Sequence, residues 1–349
     1  MRVWECGSVG VWGREGRGMR EQLGVGVIGV GTFGSLHARV YKELGACELK
    51  AVADVVPERL EAACHALGVE GYTDYRALLE RDDIDAVSVC TTDELHVAPA
   101  VAAARAGKHI LVEKPLALTP QDCDAIIAAA RDGGVQLMVG HILRFDPRYV
   151  AACEAIRDGR IGQLVHLYAR RNNPLANARR LGGHTSVLFF LGIHDLDLIN
   201  WCVGARAQRV YAEATSRVLA GTPDTVLALL RFPDGVIASL EASWVLPESC
   251  PGRLDARLEA VGTGGVLHVN GGSENVSIAG ARFEQPELFY APEVHGQRVG
   301  ILRDELAHFV ACALGDGKPI VGGDEGRAAV ELACAIQRSF ETGSVIELE

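Results

Sequence analysis

The sequence predicts two domains: an α/β domain on a parallel sheet covered by helices, then an α+β domain on an open, largely antiparallel sheet. Three observations predict this. The first part alternates short apolar runs with helical periods, and a glycine-rich turn joins the first run to the first helix. Past about residue 145 the runs become longer, two-faced and hairpin-linked. At 349 residues the chain also exceeds one ordinary core.

Taken in order, residues 1–22 are rich in Gly and Arg and show neither a helix nor a strand period. They read as a poorly ordered extension and not as a signal peptide, since they hold no continuous apolar segment. Met19 is a second candidate start. The first domain is expected over 23–144. Its strands are Leu23–Ile28, Glu48–Ala53, Ile84–Cys90, His109–Val112 and Val135–Val139, and its helices Phe33–Leu44, Pro57–Leu67, Asp93–Ala106 and Pro120–Arg131. The last helix has the clearest start, with Thr119 as N-cap, Pro120 at the first helical position and Asp122 at the capping-box spacing; Gly133 marks its end.

The second domain is expected over 145–349. Thr225–Phe232 and Val236–Trp244 flank Pro233-Asp-Gly235, a hairpin signal. Val236, Ala238, Leu240 and Ala242 share one face of the second strand; Ile237, Ser239, Glu241 and Ser243 share the other. Arg303–Ala313 and Gly326–Phe340 return to helix, and the C-terminal helix can pack back on the first domain.

Composition narrows the function classes. Hydrophobic residues at 48% and charged ones at 23% are those of a globular protein. A net charge of −11, with both signs interspersed, argues against a nucleic-acid or anionic-membrane partner. No apolar run approaches spanning length. Ten cysteines without a C-x-x-C pattern suggest no metal or redox motif and read as small core residues in a reducing cytoplasm.

The stretch GVGVIGVGTFG, residues 24–34, fits G-x-G-x-x-G twice. A phosphate loop must follow a strand and open a helix, where free N–H groups and the positive dipole end meet the anion. Only Gly29, Gly31 and Gly34 satisfy this: Gly29 turns the chain, Gly31 admits the pyrophosphate and Gly34 packs helix on strand. Asp54, twenty residues after Gly34, is where a carboxylate grips the adenosine ribose. Val55 and Val56 offer no cation for a 2′-phosphate, which favours NAD(H) over NADP(H).

Ligands of such a sheet bind beyond the carboxyl ends of the strands. Three stretches lie there: Cys90-Thr-Thr-Asp-Glu-Leu-His96, Val112-Glu-Lys-Pro115 and His141–Arg144. Lys114 has restricted reach between a strand end and a proline, and a lowered pKa would make it a proton exchanger for a C–OH/C=O pair. In the second domain the apolar run around Val187–Trp201 carries His194, Asp195 and Asp197.

Gly29–Gly34, Asp54, Thr91–His96, Glu113-Lys114-Pro115, Arg144-Phe145 and Gly192-Ile-His-Asp195 stand in the order found in the Gfo/Idh/MocA oxidoreductases, which the chain resembles from about 23 to 345. The resemblance implies a Rossmann domain, an open-sheet domain and NAD held between them. It implies hydride transfer at a secondary carbinol of a sugar, cyclitol or nucleotide sugar. Lys114 matches the catalytic lysine, and His194 the histidine at the reacting oxygen. Thr32, Phe33, Thr91, Thr92, His96 and Glu113 would join the glycines and Asp54 around the cofactor. Arg144, Asp195 and Asp197 would face substrate.

The sequence departs from the family pattern at Phe190, where many members carry Asp, and at Ile142 and Leu143, where members often carry Asn or Tyr. A phenyl ring can neither orient an imidazole nor accept a hydroxyl proton. Two other readings therefore stay open, a non-catalytic NAD-binding sensor and a redox-assisted lyase or hydrolase. The stretch Ala169–Ser186 reads as a loop. It holds Arg170, Arg171, Arg179, Arg180 and His184, and Arg171 and His184 are candidates for an anionic substrate group. A two-faced open sheet needs cover, which points to a homodimer or homotetramer.

Overall fold

The computed structural model describes residues 22–348, less 182, 251–253, 273–275, 277, 280–282, 285 and 287. Apart from Gln22, the expected extension over 1–22, Met19 included, lies outside the described residues.

The first domain runs β1 (Leu23–Ile28), α1 (Thr32–Glu43), β2 (Cys47–Ala53), α2 (Pro57–Leu67), β3 (Glu70–Tyr72), α3 (Tyr75–Leu79), β4 (Ala86–Val89), α4 (Val97–Arg105), β5 (His109–Glu113), α5 (Pro120–Gly133) and β6 (Leu137–Gly140). Its six strands are parallel in the order β3-β2-β1-β4-β5-β6, so the order reverses between β1 and β4. That switch point opens a crevice above the strand ends. The central strands are buried throughout, as apolar runs covered on both faces must be.

The structure corrects several expected boundaries. β3 and α3 carry too few apolar residues to show a period, and the sequence reading missed them. The helix expected over Asp93–Ala106 is divided into a 3₁₀ turn, Asp93–Leu95, and α4. Pro99 has no N–H for the Leu95 carbonyl, so a continuous helix cannot form there. α5 is capped as expected by the Thr119 side chain, which accepts from Asp122 N. It ends two residues later than expected, however, at Gly133, with Gly134 in the left-handed region as its C-cap.

The second domain follows α6 (Pro147–Arg157) with β7 (Leu164–Pro174), α7 (Leu175–Leu181), a π-helical turn at Leu188–Gly192, α8 (Ile193–Val203), β8 (Arg209–Thr215), β9 (Thr225–Arg231), β10 (Ile237–Leu246), β11 (Asp255–Gly262) and β12 (Gly265–Asn270). Two short ladders come next, β13 (Ile278–Ala279) with β14 (Phe283–Glu284) and β15 (Glu293–Val294) with β16 (Gln297–Arg298). α9 (Ile301–Leu314), α10 (Gly323–Thr342) and β17 (Ile346–Glu347) complete the chain. The large sheet has the order β12-β11-β7-β10-β9-β8-β17 and is antiparallel except between β7 and β10.

The β9–β10 hairpin turns through Asp234 and Gly235, both at positive φ, as its Pro-Asp-Gly sequence requires. Ala238, Leu240 and Ala242 are buried, whereas Ile237 is exposed. The stretch expected to be a loop over Ala169–Ser186 is instead largely ordered. Its first residues lie in β7, paired on both sides, and α7 follows.

α6 and α8 are joined by a disulfide, Cys153–Cys202, with an S–S distance of 2.07 Å. These two depart from the reading of most cysteines as small core residues in a reducing cytoplasm. The partners lie 49 residues apart, and only the packing of two helices brings them together. Cys47, Cys90, Cys123 and Cys312 are free and buried.

The last helices bind the two domains to each other. Gly326 of α10 lies so close to Val139 of β6 that a Cβ would come within 2.8 Å of its side chain. Arg327 pairs with Asp124 of α5 at 2.6 Å, and Ser339 accepts from Ala212 N of β8 at 2.9 Å. α9 packs its buried face, including Leu302, Leu306 and Phe309, into the core shared with α1 and β1. The crevice above the first sheet is thus held against the second domain.

Candidate active site

The crevice begins at the glycine loop. Gly29 has φ +88°, a region closed to most side chains. A Cβ on Gly34 would stand 1.8 Å from the Gly29 carbonyl oxygen, so α1 can approach β1 only with glycine there. A Cβ on Gly31 would meet nothing within 4 Å, which leaves the helix entrance open. Gly31 is the N-cap of α1 and provides no side-chain hydrogen bond. The first N–H groups of a 12-residue helix are therefore available to an anion. Thr32 is exposed beside them, and Phe33 packs edge-on against Tyr290 at 6.1 Å.

Asp54 closes β2. Its Oδ2 accepts from Val30 N at 2.8 Å and its Oδ1 from Val56 N at 2.9 Å. Each carboxylate oxygen can accept again, so the group is both tied to the glycine loop and able to take ribose hydroxyls. Val55 beside it is exposed and carries no charge. These features fit a dinucleotide with a free 2′-hydroxyl.

After β4, Thr91 Oγ1 and Asp93 Oδ2 are buried without hydrogen-bond partners, and Thr92 is exposed. His96 was expected at the cofactor, but the structure gives it another task. Its Nδ1 lies 2.8 Å from the Pro115 carbonyl and its Nε2 3.3 Å from the Thr91 carbonyl, so the ring sits between two strand-end loops and can donate to one of them in its neutral form.

Below the strand ends lies a network the sequence reading missed. His37 of α1 is fully buried, with Nε2 3.0 Å from Glu113 Oε1 and Nδ1 3.3 Å from Ser88 Oγ. Tyr41, one turn on, reaches the same Ser88 hydroxyl at 2.7 Å. Burial pushes the Glu113 carboxyl up, but the His37 contact outweighs it and holds it below the usual range. The available signal was the i, i+4 spacing of His37 and Tyr41 on the buried face of α1.

Lys114 follows, at the end of β5, and is 8% exposed. Its Nζ donates to the Phe190 carbonyl oxygen at 3.1 Å and stands 4.6 Å from the centroid of the Phe190 ring. The acceptor belongs to the π-helical turn of the second domain. Burial lowers the Lys114 pKa, against the nearby Asp93 and Glu113 carboxylates, which raise it. His194 opens α8 one turn beyond Phe190, with Nδ1 buried and unpartnered. Burial first, then the charges of Lys114, Arg171 and His141, hold its pKa well below the ordinary histidine value. The amine and the imidazole come from separate domains and are near enough for the charge of Lys114 to act on His194.

The expected substrate residues are placed otherwise. Arg144 Nε and Nη2 hold the Asp197 carboxylate at 2.9 and 2.6 Å. Arg171 Nε and Nη2 hold Asp195 at 2.7 and 3.1 Å. All four are buried; they pair with one another and tie α8 to β7 and to the turn after β6. A buried charge needs a partner that meets its hydrogen-bonding groups, and here each pair is bidentate. His184 is exposed at the rim, 3.4 Å from Glu94. Arg170 faces Asp255 at 3.0 Å. Arg179 and Arg180 are exposed on α7.

Comparison with known proteins matches residues 23–141 to the oxidoreductase family with an NAD-binding Rossmann fold, and residues 149–268 to the GFO/IDH/MocA C-terminal domain. The chain belongs to the Gfo/Idh/MocA family. It is thus an NAD-dependent oxidoreductase by descent. A myo-inositol 2-dehydrogenase of Thermotoga maritima is 29% identical over 93% of this chain and 98% of its own. An inositol 2-dehydrogenase of Rhizobium meliloti is 30% identical over 90% and 96%. Among solved structures, GenD2 from gentamicin A biosynthesis in complex with NAD superposes with a TM-score of 0.83 at 26% identity, over 97% of this chain and all of that one.

Proposed function

We propose that this family member oxidises a secondary carbinol of a cyclitol, sugar or nucleotide sugar, with Lys114 and His194 at the reacting oxygen. One observation carries the reading: the Lys114 ammonium nitrogen crosses the crevice to the second domain and meets the turn that leads into His194. The names of the full-length inositol dehydrogenase relatives support the substrate class.

Bound NAD supplies the hydride acceptor. Lys114, in its amine form, takes the hydroxyl proton as the carbonyl forms. Its lowered pKa makes that form accessible. His194, kept neutral by burial, donates to or accepts from the same oxygen and fixes its position. The Arg144–Asp197 and Arg171–Asp195 pairs hold these groups in register without touching substrate. The Phe190 ring closes the pocket on one side and Trp244 stands 6.2 Å behind it, which excludes water from the amine.

The test is steady-state NADH formation over myo-inositol, scyllo-inositol, aldoses and sugar nucleotides. Turnover of at least one supports the reading. Tight NAD binding with no turnover of any overturns it in favour of a sensor.

A further inference from the structure

Beyond Lys114 and His194, a second buried imidazole, that of His141, has no work assigned to it. β5 and β6 are parallel neighbours in which Glu113 pairs with Gly140. The next residue on each strand is Lys114 and His141, so the sheet register itself sets these two side by side at the carboxyl edge. His141 takes φ −82° and ψ 71°, with its N–H bonded to the Val139 carbonyl at 2.8 Å. That bond spans Gly140 and ties the first residue past β6 back to the strand.

The side chain is 1% exposed, yet neither Nδ1 nor Nε2 has a hydrogen-bond partner among the described residues. Leaving a polar group buried and unpaired is costly. The charged groups acting on it are Asp197, Arg144, Lys114 and Glu113. The first two are consumed by their own bidentate pair. His141 also acts on His194. An imidazole buried one residue past a strand end, beside Lys114 in register and without a partner among the described residues, is the mark of a group reserved for a ligand.

We propose that His141 is a third substrate-contacting residue, whose imidazole hydrogen-bonds a hydroxyl of the polyol adjacent to the reacting carbon. The proposal rests on the reading of the site given above. A neutral imidazole offers one donor and one acceptor, and so serves a hydroxyl in either sense. It thereby provides the acceptor that Phe190 cannot. The class of ligand follows: a neutral vicinal diol, one hydroxyl at Lys114 and His194 and its neighbour at His141.

The test uses the full chain saturated with NAD, in wild-type, His141→Phe and His141→Gln forms. Glutamine keeps a donor and an acceptor; phenylalanine keeps neither. With myo-inositol as probe, His141→Phe should raise KM or weaken binding about tenfold, the usual effect of one lost hydrogen bond to a neutral partner. His141→Gln should recover most of this, and NAD affinity should stay constant in all three. Unchanged KM in His141→Phe, or a parallel loss of NAD affinity, overturns the proposal. Protein carrying ¹⁵N-labelled histidine gives a second reading that needs neither turnover nor a variant that folds well. Myo-inositol, or glycerol at high concentration, should shift both His141 ring nitrogens in the NAD complex. Absence of a shift with both polyols overturns the His141 assignment. A shift without turnover of any polyol sustains it while overturning the dehydrogenase reading.

Discussion

Lys114 is the residue on which the chemistry turns. Lys114→Ala removes the proton acceptor and leaves the glycine loop intact. Turnover should fall by about two to four orders of magnitude, while NAD affinity measured by titration stays within a few-fold. The pH profile tests the same group. Burial lowers its pKa, so oxidation should rise with pH as the amine forms and level off below about 10.4, the ordinary lysine value. A limb that continues past that value would remove Lys114 from its role. Arg144 acts differently. Its loss in Arg144→Ala leaves the Asp197 carboxylate buried and unpaired, which should cost about 3–5 kcal/mol in urea unfolding. If stability hardly changes, the pair is not the brace it looks to be.

At the scale of elements, the π-helical turn at Leu188–Gly192 connects the domains chemically. π turns are rare and gather at functional sites. Here the turn contributes the Phe190 carbonyl and ring to Lys114. Phe190→Asp would set a carboxylate against the ammonium and favour its charged form. The rising limb of the oxidation profile should therefore move to higher pH. An unmoved profile would place residue 190 away from the amine in solution. The sequence showed the elements on either side of the crevice because each has a signal of its own: an apolar strand, a glycine turn, a proline at N1. The π turn has none, since Leu-Phe-Phe-Leu fits any buried helix. β3 was missed for a similar reason, as three residues carry no period.

For the molecule as a whole, the outer face of the large sheet is the open question of assembly. Leu227, Leu229 and Ile237 are more than 45% exposed. Leu229 lies between Tyr211 and Ser239 in the ladder, within a row whose members face outward. We propose that a second copy covers this face. Light scattering after size exclusion should give a dimer or tetramer, and Leu229→Glu should shift it towards monomer. A wild-type monomer would refute this. No helix among the described residues is long and apolar enough to cross a membrane.

The sequence by itself determined the strand–helix alternation of the first domain apart from β3 and α3, the glycine loop, and the strand-end places of Asp54 and Lys114. Each depends on neighbours within a few residues or on a fixed offset between strand ends. Only the tertiary structure decided which polar groups are free. Arg144 and Asp197 lie 53 residues apart, and Arg171 and Asp195 lie 24 apart. Nothing local reveals that each satisfies the other and withdraws from the pocket. His141 stood in a noted stretch, yet only burial without a partner distinguishes it from an ordinary strand-end histidine. Charge pairing and burial depend on distance in space, and the chain alone does not state that distance.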